Sequence, residues 1–299
     1  MKVTVILPIY NGEKTLEKTL LSLVNQTFQD FELIACIDGT FDGSEKILET
    51  YRESFSSLTI LKNTNNLGLG PTMNRLVSKS KGKYIAVAEQ DDYYYPNRLQ
   101  LQLNLLDSNK EIGLVSGVAE FWDGENVTSR FPGFLVRKKQ YPKGEEMFLL
   151  NYCNQVKVVN SCMMFRKSTH INNGLYFTKH YPSISVDWTY ILRFSLVSHI
   201  YGIHDVLVKI DRSKNRGSVT SNKEKQFKAA RELIRLMAYE YPDIVTPKIY
   251  KYALRTQILL EWSLNYNIKF YVKGFFYVVK FWFDIRFINK IVNRLKQRF

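Results

Sequence analysis

The sequence predicts an α/β fold with a mostly parallel central sheet flanked by helices, followed by a helical, aromatic and basic C-terminal extension. Two observations in the first hundred residues carry this prediction. Short apolar runs alternate with segments in which apolar residues recur at helical spacing. Clusters rich in Asp, Asn and Gly follow the apolar runs, where ligands bind in parallel sheets. A chain of 299 residues with 45% apolar content suits one large domain with appendages.

Each early element is justified by its hydrophobic period. The predicted strands, almost uninterrupted apolar runs that stop at turn-forming residues, are 2–9, 31–37, 58–61 and 83–88. The predicted helices are 13–25, 45–51, 72–79 and 97–106. This alternation indicates right-handed crossovers and a mostly parallel sheet. Beyond about residue 114 we predict strands at 113–121, 160–166 and 199–210, a helix at 187–194, and helices from 224 with a break at 241–242.

The charge of the chain is concentrated in its tail. From position 221 onward 16 Lys and Arg face 6 Asp and Glu, which gives +10 of the formal net charge of +14. A basic tail after a nearly balanced body points to an anionic surface contacted by the tail. The three Cys have neither disulfide nor zinc spacing and favour a reducing compartment. The apolar runs are too short for a signal peptide or a membrane-spanning helix.

Asp91 and Asp92 directly follow a predicted strand and are the first candidates for chemistry. Two adjacent carboxylates are costly to bury without a cation, because like charges disfavour ionisation. Mg²⁺ or Mn²⁺ commonly binds through one or two carboxylates together with substrate phosphates. A solvated loop that caps the next helix is the alternative interpretation, and spacing alone leaves both open.

Two further strand ends carry weaker signals. Asp38 ends the second strand, where a carboxylate can accept hydrogen bonds from a base or a ribose hydroxyl. An Asx turn explains the same residue, since Asp followed by Gly favours one. Pro8 and Tyr10 end the first strand and form either a simple turn or an aromatic platform for a base.

Four segments resemble family 2 glycosyltransferases in order and spacing. They are VTVILPIYN, NQTFQDFELIACIDGTFDGS, NLGLGPTMNRLVSKSKGKYI and AEQDDYYYPNRL. The resemblance covers about the first 105 residues and continues more weakly to about 220. It implies the Rossmann-like GT-A fold and an inverting, metal-dependent transfer of a sugar. The implied organisation is a nucleotide-sugar-binding half at 1–112, an acceptor-binding and catalytic half at 113–220, and a helical extension at 221–299.

The resemblance also implies roles for single residues. Pro8 and Tyr10 would line the nucleobase, and Asp38 would accept a hydrogen bond from it. Asp91 would lie near the ribose, and Asp92 would be the direct ligand of Mn²⁺ or Mg²⁺, with Asp91 beside it. The residues implied to flank the nucleotide from the loop and helix after the third strand are Asn66, Gly68 and Asn74.

The chain departs from the family pattern at two acidic positions. Ile37 stands where many relatives have the first Asp of a pair, so one carboxylate is missing there. Glu89 replaces the first member of an Asp-x-Asp-Asp run, and its longer side chain either reaches a ribose hydroxyl or a water on the metal, or faces away. The metal expectation therefore depends on Asp91 and Asp92.

Asp187 is the general base that the resemblance implies. Inversion at the anomeric carbon needs one base on the face opposite the leaving diphosphate. Relatives carry a carboxylate pair here, whereas Val186 leaves Asp187 as the one carboxylate of this motif. A helix N-cap is the alternative interpretation of Asp187.

Cationic donors are expected to stabilise the departing diphosphate. Relatives often place a His where this chain has Asp211. Arg212 and Arg216 are the substitutes on physical grounds, because guanidinium groups pair bidentately with phosphate. An exposed basic loop without this role is the alternative.

The segment from about 265 to the C-terminus has the pattern of an amphipathic helix. It contains eight Lys and Arg, one acid and many large aromatics, with several of the cations on one helical stripe. This pattern is typical of a helix lying in a membrane interface. The alternative is a helix that packs its aromatic face on the body or on a second subunit.

Together these observations predict a cytoplasmic transferase on the inner face of the cell membrane. It would use a nucleoside-diphosphate sugar, UDP-linked first and GDP- or dTDP-linked next, with a divalent metal and a glycan or lipid-linked acceptor. The sequence leaves open whether the protein forms a homo-oligomer, and nucleic acid is not an expected partner. The rival hypotheses are a nucleotidyltransferase of related fold and a non-catalytic basic protein that binds membrane or nucleic acid.

Overall fold

The structure is a computed structural model that describes residues 1–131, 140–155, 158–179, 185–213 and 222–264. The chain divides into two compact units, one from Met1 to Asn222 and one that begins at Lys223. The strands of the described residues are β1 (Val3–Ile9), β2 (Phe31–Asp38), β3 (Leu58–Asn63), β4 (Tyr84–Val87), β5 (Asp92–Tyr94), β6 (Ile112–Trp122), β7 (Val127–Phe131), β8 (Met164–Arg166) and β9 (His199–Asp211). The helices are α1 (Leu16–Val24), α2 (Ser44–Thr50), α3 (Leu69–Lys79), α4 (Arg98–Ser108), α5 (Gly144–Asn154), α6 (Lys167–Asn172), α7 (Val186–Val197), α8 (Lys223–Glu240) and α9 (Pro247–Leu264).

The strands form one sheet in the order β3-β2-β1-β4-β8-β6-β9-β5, with β7 paired to β6. β1 to β4 are mutually parallel, as their alternation with helices predicts. The second half of the sheet is mixed, since β8 is antiparallel to both β4 and β6 while β9 is parallel to β6. β7 returns from β6 through a tight turn, which only an antiparallel pair permits.

Helices cover both faces of the sheet, and the period of two along each strand decides which face a residue serves. Along β1, Val3, Val5 and Leu7 belong to the core that contains α1, α2 and α4. Ile6 points the other way, into the core that contains α3, α5 and α7. Because both faces are covered, β2 is buried along its whole length, which explains its nearly continuous apolar sequence.

Three features of the first unit escape the sequence pattern. β5 is a three-residue strand that carries Asp92, within what the sequence presents as a polar loop. β7 is exposed along most of its length and therefore shows no apolar alternation. α5 and α6 lie where the sequence shows no clear helical period. β5 and β7 form through pairing with β9 and β6, which no local pattern records.

The second unit contains α8 and α9, which contact each other. α8 buries Ala229, Leu233 and Met237 at intervals of four residues, so one face of the helix is apolar. Arg231 on α8 forms an ion pair with Glu261 on α9. The predicted break after position 240 is present as a non-helical stretch at 241–246.

Gly39, immediately after β2, has no room for a side chain. Its φ is +65°, and a Cβ placed there would lie 2.2 Å from the backbone of Asn65 and Asn66. We expect Gly39→Ala to lower the free energy of unfolding by about 2–4 kcal/mol, because strain and a backbone clash add. Urea denaturation measures the change. Gly174→Ala is the matched control, since φ is +59° with nothing within 4 Å of its Cβ, and it should cost about 1 kcal/mol. Equal losses in the two variants would contradict the clash.

His170 gives the first unit a predictable sensitivity to acid. Burial lowers the pKa of His170 to about 4, and its Nδ1 lies 2.9 Å from the Tyr190 hydroxyl. The unfolded chain, with a His pKa of about 6.5, binds the proton first as the pH falls. The stabilising contribution is therefore complete above pH 6.5 and is lost towards pH 4.

Urea denaturation at pH 7.5 and pH 5 checks this sensitivity. We expect His170 to account for about 1–2 kcal/mol of the loss between these pH values. His170→Gln should remove that part of the loss. His204→Gln, at an exposed position of β9, should keep the wild-type dependence. An unchanged dependence in His170→Gln would refute the assignment.

Candidate active site

The loops that follow β1, β2 and β3 meet at one edge of the sheet. Thr40 Oγ1 donates a hydrogen bond to Asn11 Oδ1 over 2.6 Å, which joins the loop after β2 to the loop after β1. The close approach of Gly39 to the backbone at 65–66 joins the loop after β3 to the same group. This edge lies at the carboxyl ends of parallel strands, where ligands bind in such sheets.

Tyr10 stands on a fixed backbone at this edge. The Gln90 side chain makes two bonds with it, accepting from the Tyr10 amide over 2.7 Å and donating to the Tyr10 carbonyl over 2.8 Å. The Tyr10 side chain remains 48% exposed, and Pro8 is half-buried beside it. Gln90 was not identified as a site residue from the sequence, although its position between Glu89 and Asp91 places it within the acidic motif. The arrangement offers an aromatic ring to a planar ligand.

Asp38 uses its carboxylate to shape the loop after β3. Its Oδ1 accepts hydrogen bonds from Asn63 Nδ2 over 2.7 Å and from the Leu67 amide over 2.9 Å. Its Oδ2 accepts from the Gly68 amide over 2.8 Å. The side chain is only 4% exposed. The Asp38 carboxylate therefore already accepts three hydrogen bonds that order the loop before α3, and a nucleobase would have to bind it in addition to these.

Asn66, Gly68 and Asn74 lie in the loop and helix that the sequence assigned to the nucleotide. Asn66 Oδ1 accepts from the Gly68 amide over 2.9 Å, and Gly68, with a φ of +85°, precedes the first residue of α3. The Asn74 amide group is engaged elsewhere. Its Nδ2 donates to the Phe177 carbonyl and its Oδ1 accepts from the Phe177 amide, both over 2.8 Å.

Three carboxylates form a cluster after β4. Glu89, Asp91 and Asp92 each offer one oxygen, and these oxygens lie within 4.8 Å of one another. A group of carboxylate oxygens suits a hard divalent cation such as Mg²⁺ or Mn²⁺. Of the two orientations that the sequence left open for Glu89, the structure has the one that faces the cluster.

A short 3-10 helix, Asn160–Cys162, holds two of these carboxylates in place. Asn160 Nδ2 donates to Glu89 Oε1 over 2.7 Å, and the Ser161 hydroxyl donates to Asp92 Oδ2. Sequence reasoning missed both residues, because they lie about 70 positions from the carboxylates that they contact. These bonds fix the directions of the two acidic side chains.

Asp92 forms the floor of the cluster. It is fully buried, and its Oδ1 has no hydrogen-bond partner among the residues that the structure describes. Burial, followed by the charge of Glu89, raises the pKa of the Asp92 carboxyl well above its usual range. An orphaned buried oxygen between two further carboxylates fits a cation. Glu89 and Asp91 are half-exposed, so an ion that enters from solvent meets them first.

Arg98 lies near the acidic cluster as a fully buried cation. Its guanidinium donates to the Val87 carbonyl over 2.6 Å and to Gln102 Oε1 over 3.2 Å, and it lies 4.4 Å from the centre of the Tyr94 ring. The charge of Arg98 lowers the pKa of Asp92, against the larger effect of burial. The sequence gave no sign of this residue, which looks like an ordinary surface helix position.

Asp187 lies in the first turn of α7 and is partly exposed. Ser185, with a φ of +56°, occupies the N-cap position of this helix. The alternative interpretation of Asp187 as the N-cap is therefore wrong by two residues. Asp187 instead lies at the second position of α7, near the positive end of the helix dipole.

Arg212 is brought towards the acidic cluster by the pairing of β9 with β5, in which Asp92 faces Ile210. Its side chain is exposed, and its charge lowers the pKa of Asp92. Asp211 accepts a hydrogen bond from the Ser213 amide over 2.8 Å. Arg216, the second candidate for the diphosphate, lies outside the described residues.

In the part of the chain that the structure describes, no helix combines the length and the apolar character needed to cross a membrane. The segment 265–299, for which the sequence predicts an amphipathic helix, lies outside that part.

Comparisons with known proteins agree with the family resemblance of the sequence. The sequence model of glycosyl transferase family 2 matches residues 4–172. An uncharacterized glycosyltransferase of Methanocaldococcus jannaschii is 34% identical over 132 residues, which are 43% of this chain and 46% of that protein. A UDP-Glc:alpha-D-GlcNAc-diphosphoundecaprenol beta-1,3-glucosyltransferase of Escherichia coli is 28% identical over 130 residues, which are 43% of this chain and 50% of that protein. The chain spans about half the length of these curated relatives.

Among solved structures, S. aureus TarS 1-349 in complex with UDP-GlcNAc superposes with a TM-score of 0.70 and 20% sequence identity. The match covers 93% of this chain and 81% of that chain. At this identity the likeness establishes the fold, and it confirms the architecture that the sequence predicts.

Proposed function

Because the chain belongs to glycosyl transferase family 2 and has the GT-A fold, we propose that it transfers a sugar from a UDP-linked donor to an acceptor hydroxyl. The acceptor is a glycan or a lipid-linked saccharide in cell-surface polysaccharide synthesis. The observation that carries the proposal is the group of Glu89, Asp91 and Asp92 at the ligand-binding edge of the sheet. The donor and acceptor classes are supported by the UDP-sugar and the diphosphoundecaprenol acceptor in the names of the similar proteins.

The donor nucleotide would lie at the edge formed by the loops after β1, β2 and β3. Pro8 and Tyr10 would line the base, since Tyr10 presents its ring to solvent on a clamped backbone. Asp38, Asn66 and Gly68 would shape the pocket through the hydrogen bonds that order the loop before α3.

Glu89, Asp91 and Asp92 would hold a divalent cation, Mn²⁺ or Mg²⁺. Asp91 and Glu89 supply the accessible oxygens, and Asp92 closes the floor. When bound, such an ion offsets the negative charge that develops on the leaving diphosphate. Arg212 would add a guanidinium beside it, and Arg216 is assigned the same role on sequence grounds.

Asp187 would act as the general base. The acceptor oxygen forms a bond to the anomeric carbon as the bond from that carbon to the diphosphate oxygen breaks. The acceptor proton moves to the Asp187 carboxylate, and the bonding electrons leave with UDP. One displacement inverts the configuration and needs no carboxylate nucleophile.

A panel of UDP-, GDP- and dTDP-sugars tests the proposal. We expect a UDP-sugar to raise the melting temperature only in the presence of Mn²⁺, and to release UDP slowly by hydrolysis. Cleavage at the α-phosphorus of the donor, which releases sugar 1-phosphate instead of UDP, would indicate a nucleotidyltransferase. If no donor stabilises the protein or is hydrolysed, the transferase proposal is wrong.

We also infer that the segment 265–299 attaches the protein to the inner face of the cell membrane, on the strength of its basic and aromatic pattern. Flotation with vesicles that contain anionic lipid should recover the full chain, and 0.5 M salt should weaken the attachment. No recovery with anionic vesicles would favour packing of this segment on protein.

A further inference from the structure

Asn74 connects the nucleotide side of the first unit to the segment at 175–179. Both polar atoms of its side chain are engaged by one residue, Phe177, through two hydrogen bonds of 2.8 Å to the backbone amide and carbonyl. A primary amide that pairs with both groups of one residue acts as a two-point clamp. The clamp bridges 103 positions of sequence, so local structure does not explain it.

Gly70 provides a second contact between α3 and the same segment. A Cβ at Gly70 would lie 2.0 Å from the carbonyl oxygen of Thr178. Gly70 and Asn74 are four residues apart on a helix and therefore share one face. The first two turns of α3 thus grip residues 177 and 178, with close backbone approach at one point and the amide clamp at the other.

Phe177 connects these contacts on α3 to α7. Its ring is fully buried and stacks on the Tyr190 ring, with centroids 4.1 Å apart and an interplanar angle of 12°. Phe165 and His170 pack around the pair. A buried ring held on several sides has little freedom to shift. The position of Phe177 therefore helps to set where Tyr190 lies.

Tyr190 is three residues after Asp187, about one helical turn along α7. Residues at this spacing lie on neighbouring parts of a helix face. A rotation or translation of α7 that moves the Tyr190 ring would move the Asp187 carboxylate by a similar amount. At the other end of the path, Asp38 bonds to the Leu67 and Gly68 amides at the start of α3.

We propose that Asn74 is a positioning residue for Asp187, acting through Phe177 and Tyr190, and that it is not a ligand of the nucleotide. This replaces the nucleotide contact that the sequence assigned to Asn74. The proposal rests on the proposed function, which gives Asp187 its role as base. A displacement of about 1 Å at a reacting group can cost about 10²-fold in rate, so a change at Asn74 acts on turnover rather than on donor binding.

Asn74→Ala tests the proposal, with Asn104→Ala as the matched control. Asn104 is an exposed residue of α4 whose side chain contacts Gln100 on its own helix. We expect Asn74→Ala to lower kcat for hydrolysis of the UDP-sugar, measured as release of UDP, by about 10- to 100-fold. The dissociation constant of UDP with Mn²⁺, measured by calorimetry, should stay within twofold of wild type. A tenfold weaker UDP constant would overturn the proposal in favour of a nucleotide ligand.

A double-mutant cycle identifies the residue through which Asn74 acts. If the effect passes through Asp187, Asn74→Ala should cause no further loss in an Asp187→Asn background. If the loss of kcat in the double variant equals the product of the losses in the two single variants, the proposal is overturned. If Asp187→Asn alone leaves turnover intact, the base assignment itself fails and the positioning role falls with it. If Asp187→Asn is inactive while Asn74→Ala behaves as wild type, only the positioning role fails.

Amide hydrogen exchange provides a readout that needs no turnover. Asn74→Ala should speed exchange in the first turns of α7, and Asn104→Ala should not. Phe177→Leu is the second variant in case Asn74→Ala folds poorly, because it keeps the backbone bonds and an apolar side chain while it loses the stacking on Tyr190. Unchanged exchange at 186–190 in both variants would overturn the proposal.

Discussion

Asp91→Asn is expected to abolish the Mn²⁺-dependent stabilisation by UDP and to lower kcat/KM for the donor by at least about 10²-fold. Asp91 is the half-exposed member of a three-carboxylate cluster that is anchored through Asn160 and Ser161 at its other two members. Replacing the carboxylate with an amide keeps the shape and removes one negative charge. Thermal shift with UDP, with and without Mn²⁺, and calorimetry with Mn²⁺ alone measure the effect.

Asp30→Asn is the matched control for this experiment. Asp30 is exposed and precedes the amino end of β2, at the edge of the sheet opposite the cluster. Asp30→Asn makes the same chemical change as Asp91→Asn, and it should leave Mn²⁺ binding and turnover unaltered. Wild-type Mn²⁺ affinity in Asp91→Asn would refute the assignment of the metal to this cluster.

Asp92→Asn separates the two aspartates. Asp92 is fully buried with one oxygen bonded to Ser161, so the amide can keep that bond while the charge on the floor is lost. Because burial and the charge of Glu89 raise the pKa of the Asp92 carboxyl, a bound ion has to displace its proton, and we expect a smaller loss of Mn²⁺ affinity in Asp92→Asn than in Asp91→Asn. The opposite order would support the assignment made from sequence, in which Asp92 is the direct ligand.

Asp187→Asn is expected to lower kcat by about 10²–10⁴-fold, because the acceptor proton then has no carboxylate to receive it. The dissociation constant of UDP with Mn²⁺ should be unchanged, since the predicted role of Asp187 is towards the acceptor. Steady-state hydrolysis of the UDP-sugar, measured as release of UDP, gives kcat, and calorimetry gives the dissociation constant.

Glu145→Gln controls for the effect of losing a negative charge at a helix start. Glu145 is an exposed acidic residue in the first turn of α5, as Asp187 is in the first turn of α7. Either change should cost about 0.3–1 kcal/mol of stability through the helix dipole. Only Asp187→Asn should lose turnover. Equal turnover in the two variants would leave Asp187 with a helix-terminal role alone.

Much of the candidate site could be predicted from sequence because its residues end strands. Tyr10, Asp38 and Asp91 each follow an apolar run, and parallel strands that alternate with helices present such ends at one edge. Glu89 and Gln90 lie in the same turn as Asp91, yet the sequence of the turn does not show which way their side chains point. Whether a side chain turns into a cluster or into solvent depends on partners distant in sequence, as Asn160 is for Glu89.

The sequence by itself determined the alternation of β1 to β4 with α1 to α3, the family, and the acidic group after β4. These follow from periods of two and 3.6 and from short motifs, which act within a few residues. Only the tertiary structure decided that Asp92 is buried on Ser161, that Arg98 is a buried cation near it, and that Asn74 bonds to Phe177. The reason is physical: burial and hydrogen-bond partners are set when elements far apart in the chain pack together, and no local pattern records that packing.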